Sequence, residues 1–258
     1  MKMKAYILFL IMPFLIASAC FPTPIVQAAG NATILTNTGY KDSSGNYRIV
    51  GEIQNNGNSA VNFVQVTATY YTSSNAVIDT RFDLTLTNVI MPGCKSPFEI
   101  ALLDIPESAQ VHHYTLKATF LETSPLPIGI EITSNSSHID TSGSMHVIVQ
   151  IKNIGTITVT DPRIVVTYYD ASSKVVAAAK NILPAEELAV TPGQTVPFEI
   201  SLSAERAPYV STYALTAESN QYTIVPEYSA LTILSLLATS TTLVLALSRK
   251  KKKQPILI

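Results

Sequence analysis

The histidines are the residues of this chain whose chemistry best suits a metal ion or a proton transfer. There are four, His112, His113, His138 and His146. On a strand, adjacent side chains face opposite sides, so His112 and His113 cannot both bind one metal ion. Zinc needs three or four converging ligands, and the turn that carries His138 and His146 supplies too few. We therefore expect surface histidines, with no metal site and no cofactor.

Acidic turns occur twice and raise the question of calcium. Asp42 opens the turn "DSSG" and Asp140 opens "DTSG". Calcium requires six to eight oxygen ligands, whereas each turn supplies one carboxylate. Asp also accepts hydrogen bonds from turn amides, and Gly adopts positive φ, so a plain turn is the favoured interpretation. The serines lack a Gly-x-Ser-x-Gly motif. The sequence thus predicts no catalytic residue and no enzyme.

Three further side chains are candidates for covalent modification. Asn31 and Asn135 each begin an Asn-x-Ser/Thr triplet, which predicts either N-glycosylation or an unmodified polar turn. Cys20 follows "IASA" and allows lipid attachment as an alternative to simple removal with a signal peptide. Cys94 is then the one cysteine of the mature chain, and we expect an exposed thiol able to pair with another molecule.

The sequence segments that contain these residues occur twice in the chain. "PGCKSPFEI" at 92–100 returns as "PGQTVPFEI" at 192–200, and "TYY" at 69–71 returns as "TYY" at 167–169. A shift of 98 to 100 residues aligns most of the two halves. One duplicated unit is the simplest explanation.

Within each unit, apolar residues alternate with polar ones at a period of two. Tyr47, Ile49, Gly51 and Ile53 form one such series, and turn-rich stretches recur about every ten residues. The sequence therefore predicts an all-β fold of two tandem immunoglobulin-like antiparallel β-sandwiches, each with roughly seven strands. We place them at 29–122 and 129–225, joined by a proline-rich linker at 123–128.

The repeated segments resemble the FxLYD family of extracellular domains. The first copy has "VGEIQNNGNSAVNFVQVTATYYTSSNAVI" before "MPGCKSPFEI", and the second has "VIVQIKNIGTITVTDPRIVVTYYDASSKVV" before "TPGQTVPFEI". Thr72 departs from the Tyr-Asp pattern that Tyr169 and Asp170 keep. The resemblance covers most of both units and implies an immunoglobulin-like fold at a cell surface. The family has no catalytic residues to transfer.

Both ends of the chain predict export and anchoring. Residues 1–28 have the layout of a signal peptide. Ser229–Leu247 contains 19 uncharged residues, enough for one transmembrane helix, and Arg249–Lys253 places the tail 249–258 in the cytoplasm. The exterior part keeps ten basic against 18 acidic residues, a net charge of −8, which argues against nucleic acid as a partner.

The segment 226–248 resembles the PEF-CTERM class of archaeal sorting tails. Pro226, Glu227 and Tyr228 occupy the motif, with Tyr in place of Phe, ahead of the apolar helix and the basic cluster. The resemblance implies a sortase-type processing enzyme that exchanges the tail for a lipid. An ordinary single-pass anchor is the alternative, because Tyr is favoured at membrane interfaces in any case.

These features together predict a non-enzymatic, membrane-anchored cell-surface protein with a structural, adhesive or binding role. Its partner would be an envelope component or another surface protein. The alternative is an accessory subunit of a membrane enzyme or transporter. That alternative is favoured by "TSTT" at 239–242, since small hydroxyl residues allow close helix packing.

Overall fold

The described part of the protein consists mostly of β-strands, nearly all of them paired in antiparallel fashion, as the all-β prediction expects. The computed structural model describes residues 31–182 and 189–224. The strands are β1 (Ala32–Lys41), β2 (Tyr47–Asn55), β3 (Ala60–Tyr71), β4 (Val77–Leu84), β5 (Val89–Ile90), β6 (Lys95–Leu102), β7 (His113–Thr123), β8 (Ile128–Ile139), β9 (Met145–Asn153), β10 (Val159–Thr160), β11 (Arg163–Tyr169), β12 (Val175–Ile182), β13 (Ala189–Val190), β14 (Thr195–Leu202), β15 (Thr212–Glu218) and β16 (Thr223–Ile224). Helix α1 (Ile105–Gln110) and a 3₁₀ turn (Ala207–Tyr209) precede β7 and β15.

Strands β1–β7, here called repeat 1, form two facing sheets. One has the order β1-β2-β6, and the other joins β4, β3 and β7, with β5 also paired to β3. The apolar side chains that alternate along β2, β3 and β6 point into the space between the sheets. Ile49, Tyr70, Phe98 and Ile100 are each no more than 1% exposed there. This is the face that the two-residue period predicts.

Strands β8–β16, here called repeat 2, follow the same plan. The sheet β8-β9-β14 faces the sheet β12-β11-β15, and the short strand β16 bridges β15 and β8. Tyr168 and Phe198, which correspond to Tyr70 and Phe98, lie in the core. Four residues separate β7 from β8 along the chain.

The duplication extends to unusual backbone conformations. All eight residues with positive φ in the described chain fall into four pairs at corresponding positions of the two repeats. They are Gly45 and Gly143, Phe63 and Asp161, Asn75 and Ser173, and Gly93 and Gly193. The glycines occupy the turns where the sequence places them, since a residue without Cβ adopts this conformation without strain. The two copies therefore share turn geometry as well as strand order.

A buried asparagine explains the repeated Asn-x-Gly motif. The side-chain amide of Asn55 donates to the carbonyls of Ser59 and Ile90, both at 2.8 Å, and its oxygen accepts from the Gly57 amide at 3.0 Å. Asn153 makes the corresponding three bonds in repeat 2. Each asparagine thus ties the loop after its own strand to a short strand, β5 in repeat 1 and β13 in repeat 2.

The predicted signal peptide, transmembrane helix and basic tail lie outside the described residues. Within 31–182 and 189–224, no helix has the length and apolar character needed to cross a membrane.

Candidate functional site

The two repeats pack sheet against sheet through their outer faces. The outer face of β1-β2-β6, here called the covering face, lies on the outer face of β12-β11-β15, here called the covered face. Val50 and Glu52 alternate with the core residues of β2 and point away from the core of repeat 1, yet they are only 0% and 3% exposed. On the covered face, Val165 and Thr167 are also buried. The contact therefore buries one face of a sheet on each repeat. The alternation of side chains along the strands would predict that this face is exposed to solvent.

A buried carboxylate lies within this interface. Glu52 accepts a hydrogen bond from the hydroxyl of Tyr169 at 2.7 Å and pairs with the ammonium of Lys95 at 2.9 Å. Burial, followed by the hydrogen bond to Glu52, raises the pKa of Tyr169. A buried charge is tolerated only when it is paired and hydrogen-bonded, so Glu52 requires both partners.

Threonine side chains of β1 satisfy the free edge of strand β12. The hydroxyl of Thr38 donates to the carbonyl of Val175 at 2.5 Å, and the hydroxyl of Thr36 accepts from the amide of Val175 at 3.3 Å. β12 is the edge strand of its sheet, and an unpaired edge carries free backbone groups. The covering face thus caps part of the edge of repeat 2.

The opposite end of the interface is held by a second buried carboxylate. Glu218 is 2% exposed and accepts from the backbone amides of Asn88 at 2.7 Å and Val89 at 3.4 Å. Arg163 lies 3.6 Å from the same carboxylate. Burial raises the pKa of Glu218, while these donors oppose the shift. Contacts at both ends therefore fix the orientation of the repeats.

A cleft of about 240 Å³ opens at the rim of the interface. Arg48 of repeat 1 lies between Asp42 and Glu99, 2.6 Å from an oxygen of each. The bond to Arg48 is the main reason that the pKa of Asp42 falls to about 2. From repeat 2, the guanidinium of Arg206 lies 3.8 Å from the centre of the Tyr40 ring and donates to the carbonyl of Val176. The charge of Arg48 is thus paired within repeat 1, and Arg206 contacts repeat 1 through the Tyr40 ring.

His146 takes the place of Arg48 in repeat 2. Its ring nitrogens lie 3.1 Å from Asp140 and 2.6 Å from Glu199, which correspond to Asp42 and Glu99. His138 stacks on it with ring centres 5.0 Å apart. The hydrogen bonds to Asp140 and Glu199 raise the pKa of His146. The sequence interpretation of four solvated histidines is therefore wrong for His146, which is held between two carboxylates.

The acidic turns have the structure that the sequence favours. Asp42 Oδ1 accepts from the amides of Ser44 and Asn46, at 3.0 and 2.9 Å, and Asp140 bonds its own turn in the same way. Hydrogen bonds from Ser142 and His146 lower the pKa of Asp140 to about 2. In the described part of the chain, no three His, Cys, Asp or Glu side chains are grouped to hold a metal ion.

Cys94 is less exposed than the sequence predicts. It is half-buried and packs against a small cluster that contains Ile53, Val61 and Ile90. Burial raises the pKa of its thiol. The turn before β6 folds back over the core edge, and for this reason a position that varies between the repeats is nonetheless covered.

The two predicted glycosylation sites lie in different settings. Asn31 is exposed and directly precedes β1. Asn135 lies within β8, and its side-chain oxygen accepts from the hydroxyl of Tyr213 at 2.9 Å. The pair repeats Asn37 and Tyr114 of repeat 1. Pro226, Glu227 and Tyr228 lie outside the described residues.

The adjacent histidines His112 and His113 do not form a site. His113 stacks on Tyr71 with ring centres 4.9 Å apart, and the ring of His112 stands nearly perpendicular to that of His113. The contacts of their rings are therefore with aromatic neighbours.

Comparison with known proteins adds no family. No protein-family model matches the chain, and no curated protein is similar to it in sequence. Among solved structures, it is similar to red sea bream transglutaminase, with 9% identity, a TM-score of 0.23, and coverage of 80% of this chain and 32% of that one. It is also similar to the Amycolatopsis orientalis exo-chitosanase CsxA, with 13% identity, a TM-score of 0.27, and coverage of 74% of this chain and 26% of that one. A β-galacturonidase from Eisenbergiella tayi is similar with 10% identity, a TM-score of 0.24, and coverage of 78% of this chain and 43% of that one. The chain spans less than half of each, and likeness at this level supports no functional argument.

Proposed function

We propose that this chain is a non-enzymatic, membrane-anchored cell-surface protein whose stacked repeats have a structural, adhesive or binding role. The observation that carries the proposal is the interface between the repeats. Three of its ionisable groups contact the other repeat: Glu52 through Tyr169, Glu218 through the amides of residues 88 and 89, and Arg206 through Tyr40. This use of charge suits a spacer that holds surfaces at a fixed separation.

The finer architecture belongs to the same proposal. Each repeat is an immunoglobulin-like sandwich of the FxLYD type, at 29–122 and 129–225, with 123–128 as linker. Facing sheets with strand spacing near ten residues and an aliphatic and tyrosine core support it. A signal peptide at 1–28 and a transmembrane helix within 226–248 place both repeats outside the membrane.

Protease treatment of intact cells tests this topology. We expect added protease to remove the repeats while an epitope fused after Ile258 stays protected. Cells permeabilised before treatment provide the control, since the epitope must then be lost. Cleavage of the tail with survival of the repeats in intact cells would overturn the proposed orientation.

Processing of the tail is a separate part of the proposal. A sortase-type enzyme that recognises Pro226, Glu227 and Tyr228 would exchange the helix for a lipid. Mass spectrometry of the mature C-terminal peptide distinguishes the two forms of anchoring. A peptide that extends to Leu247 or beyond would exclude the exchange and leave an ordinary membrane helix.

An accessory subunit of a membrane enzyme or transporter is the second candidate function. The observation in its favour is the small, hydroxyl-bearing stretch 239–242 within the predicted helix, which allows close packing against a partner helix. Crosslinking in native membranes should then recover one stoichiometric membrane partner. Recovery of the chain without such a partner would favour the surface role.

A further inference from the structure

The face that is covered in repeat 2 is bare in repeat 1. The outer face of β4-β3-β7, here called the bare face, corresponds to the covered face of repeat 2. Register places Val77, Phe82 and Leu84 on it, opposite Tyr71, Thr67 and Gln65. These three apolar side chains are 61%, 65% and 45% exposed. An exposed apolar patch on one side of a sheet is typical of an interaction surface.

Repeat 2 has a free face of the kind that does the covering. The outer face of β8-β9-β14, here called the free face, corresponds to the covering face of repeat 1. Ile148 is 36% exposed there, whereas Val50 at the same position of repeat 1 is fully buried. Pro197 is exposed, whereas Pro97 is buried. Each molecule therefore has one exposed face that corresponds to the covered face, namely the bare face, and one that corresponds to the covering face, namely the free face.

The free face keeps the residue types that make the internal contact. Ser134 and Ser136 replace Thr36 and Thr38, the hydroxyls that bond the edge of β12. The remaining pairs are Val50 with Ile148, Pro97 with Pro197 and Glu99 with Glu199. Hydroxyl, apolar and acidic positions are thus preserved on a surface that residues 31–182 and 189–224 of the same molecule leave uncovered.

The main differences on the free face lower the cost of burying it. The buried pair Glu52 and Lys95 becomes the neutral pair Gln150 and Thr195. Desolvating an amide costs less than desolvating a charge. On the bare face, Tyr71 stands where Tyr169 donates to Glu52, and the side-chain oxygen of Gln150 can accept that bond. Lys117 is exposed on the bare face and Glu199 on the free face, so the charges are complementary.

We propose that a second copy of this chain docks its free face on the bare face of the first, repeating between molecules the contact that joins the repeats within one. The contact uses two different faces, so it is heterologous and leaves each added copy able to bind another. The molecules would form head-to-tail chains. This inference needs only the two repeats and does not depend on the proposed anchoring.

Cysteine crosslinking of the full-length protein in detergent tests the contact. All variants are made in a Cys94→Gln parent, because glutamine is the residue that repeat 2 has at this position. The parent alone measures the background crosslinking, including any that comes from Cys20. Within one molecule Thr38 bonds Val175, so the corresponding pair between molecules is Ser136 with Val77. A short bis-maleimide should link Thr38→Cys to Val175→Cys inside one chain, which calibrates the reagent.

The intermolecular result is read from two single variants. Mixed Ser136→Cys and Val77→Cys proteins should give dimers, and the double variant should give a ladder of higher species. Either variant alone should give no more dimer than the Cys94→Gln parent. Dimers of the mixture no more abundant than those of the parent would overturn the proposal, and so would equal dimer formation by either single variant.

A charge substitution provides a measurement that does not rely on crosslinking. Val77→Lys should weaken concentration-dependent self-association, followed by analytical ultracentrifugation, by about tenfold or more. Val175, at the same position of the internal contact, is fully buried, so a charge at position 77 should prevent the corresponding contact between molecules. Ile157→Lys is the matched control, because Ile157 is exposed outside both faces. The midpoint of thermal unfolding should match in the two variants. A protein that stays monomeric at all concentrations, or that associates equally in both variants, would contradict the head-to-tail contact.

Discussion

At position 146 a histidine replaces the arginine that repeat 1 has at position 48, between the same two carboxylates. Arg48 is charged at every accessible pH, whereas a histidine can gain or lose its charge. Asp140, Glu199, His138 and Ser201 are the polar side chains that surround the ring. The two repeats thus share a network but differ in its response to pH.

We expect repeat 2 to lose stability as pH rises above about 6.5, the ordinary pKa of histidine. The folded state raises the pKa of His146, so it binds the proton more tightly than the unfolded chain. The stabilisation from protonated His146 is complete at pH values below the pKa of histidine in the unfolded chain. It is lost as pH rises through the pKa of His146 in the folded protein. Asp140, with a pKa of about 2, stays ionised throughout.

Thermal unfolding between pH 5.5 and about 8.5 checks this expectation, since the range spans the titration of histidine. His146→Arg should flatten the pH dependence of the midpoint. Arg48→His should add a similar dependence to repeat 1. Identical pH profiles for the wild type and His146→Arg would show that the ion pairs of His146 do not contribute.

The thiol of Cys94 should react slowly with alkylating reagents at neutral pH. Burial raises its pKa and lowers the fraction of thiolate, which is the reactive form. Mass spectrometry after iodoacetamide treatment should show slower alkylation in the native protein than in urea. Equal rates in the two conditions would indicate an exposed thiol instead.

At the scale of elements, the loops after β2 and β9 depend on one buried asparagine each. Asn153 satisfies the carbonyls of Ile157 and Val190 and the amide of Gly155. A side chain without these groups would leave buried backbone polar atoms without partners. The Asn-x-Gly spacing is therefore a structural requirement, because the backbone amide of the glycine, two residues after the asparagine, donates to the asparagine side-chain oxygen.

Replacement of Asn55 or Asn153 by alanine should lower the free energy of unfolding by about 3 kcal/mol, since each buried group left unsatisfied costs about 1–3 kcal/mol. Asn58→Ala, in the same loop but exposed, is the matched control and should change it by about 0.5 kcal/mol or less. Urea unfolding followed by tyrosine fluorescence measures both. Equal effects of the buried and exposed substitutions would contradict this role for the asparagine.

At the scale of the whole molecule, the repeats unfold together or separately according to the strength of their interface. Glu52 is 3% exposed and depends on Tyr169 and Lys95. The threonines of β1 and the contacts of Glu218 add hydrogen bonds at other points of the same interface. We expect the wild type to unfold in a single transition, because the unfolding of either repeat alone would expose a buried charge on the other or remove its partner.

Tyr169→Phe should weaken this coupling. It removes the hydroxyl that donates to Glu52 and should cost about 1–3 kcal/mol, as expected when a buried acceptor loses its donor. Calorimetry should then show a broadened or split transition. Tyr71→Phe, at the corresponding position of the bare face, is the control and should preserve the single transition in dilute protein. Similar thermograms for both variants would argue against the buried bond.

The local features of this protein follow from its amino-acid sequence alone. Alternation at period two identified the strands and the core positions Ile49, Phe98 and Ile100, and the repeated turns placed the glycines that adopt positive φ. These features depend on neighbouring residues, so they are visible in a short window of sequence. The offset of the repeat also predicted that both halves would share one arrangement of strands.

Which outer faces of the sheets are covered depends on how the two repeats dock. Val50 and Glu52 read as the solvent side of a half-buried strand, yet they are buried by residues more than 100 positions away, including Tyr169. The pairing of His146 and the half-burial of Cys94 depend in the same way on contacts between distant strands and turns. A periodic pattern records which face of a strand is apolar, but the docking of one sheet on another depends on two surfaces that no local window contains.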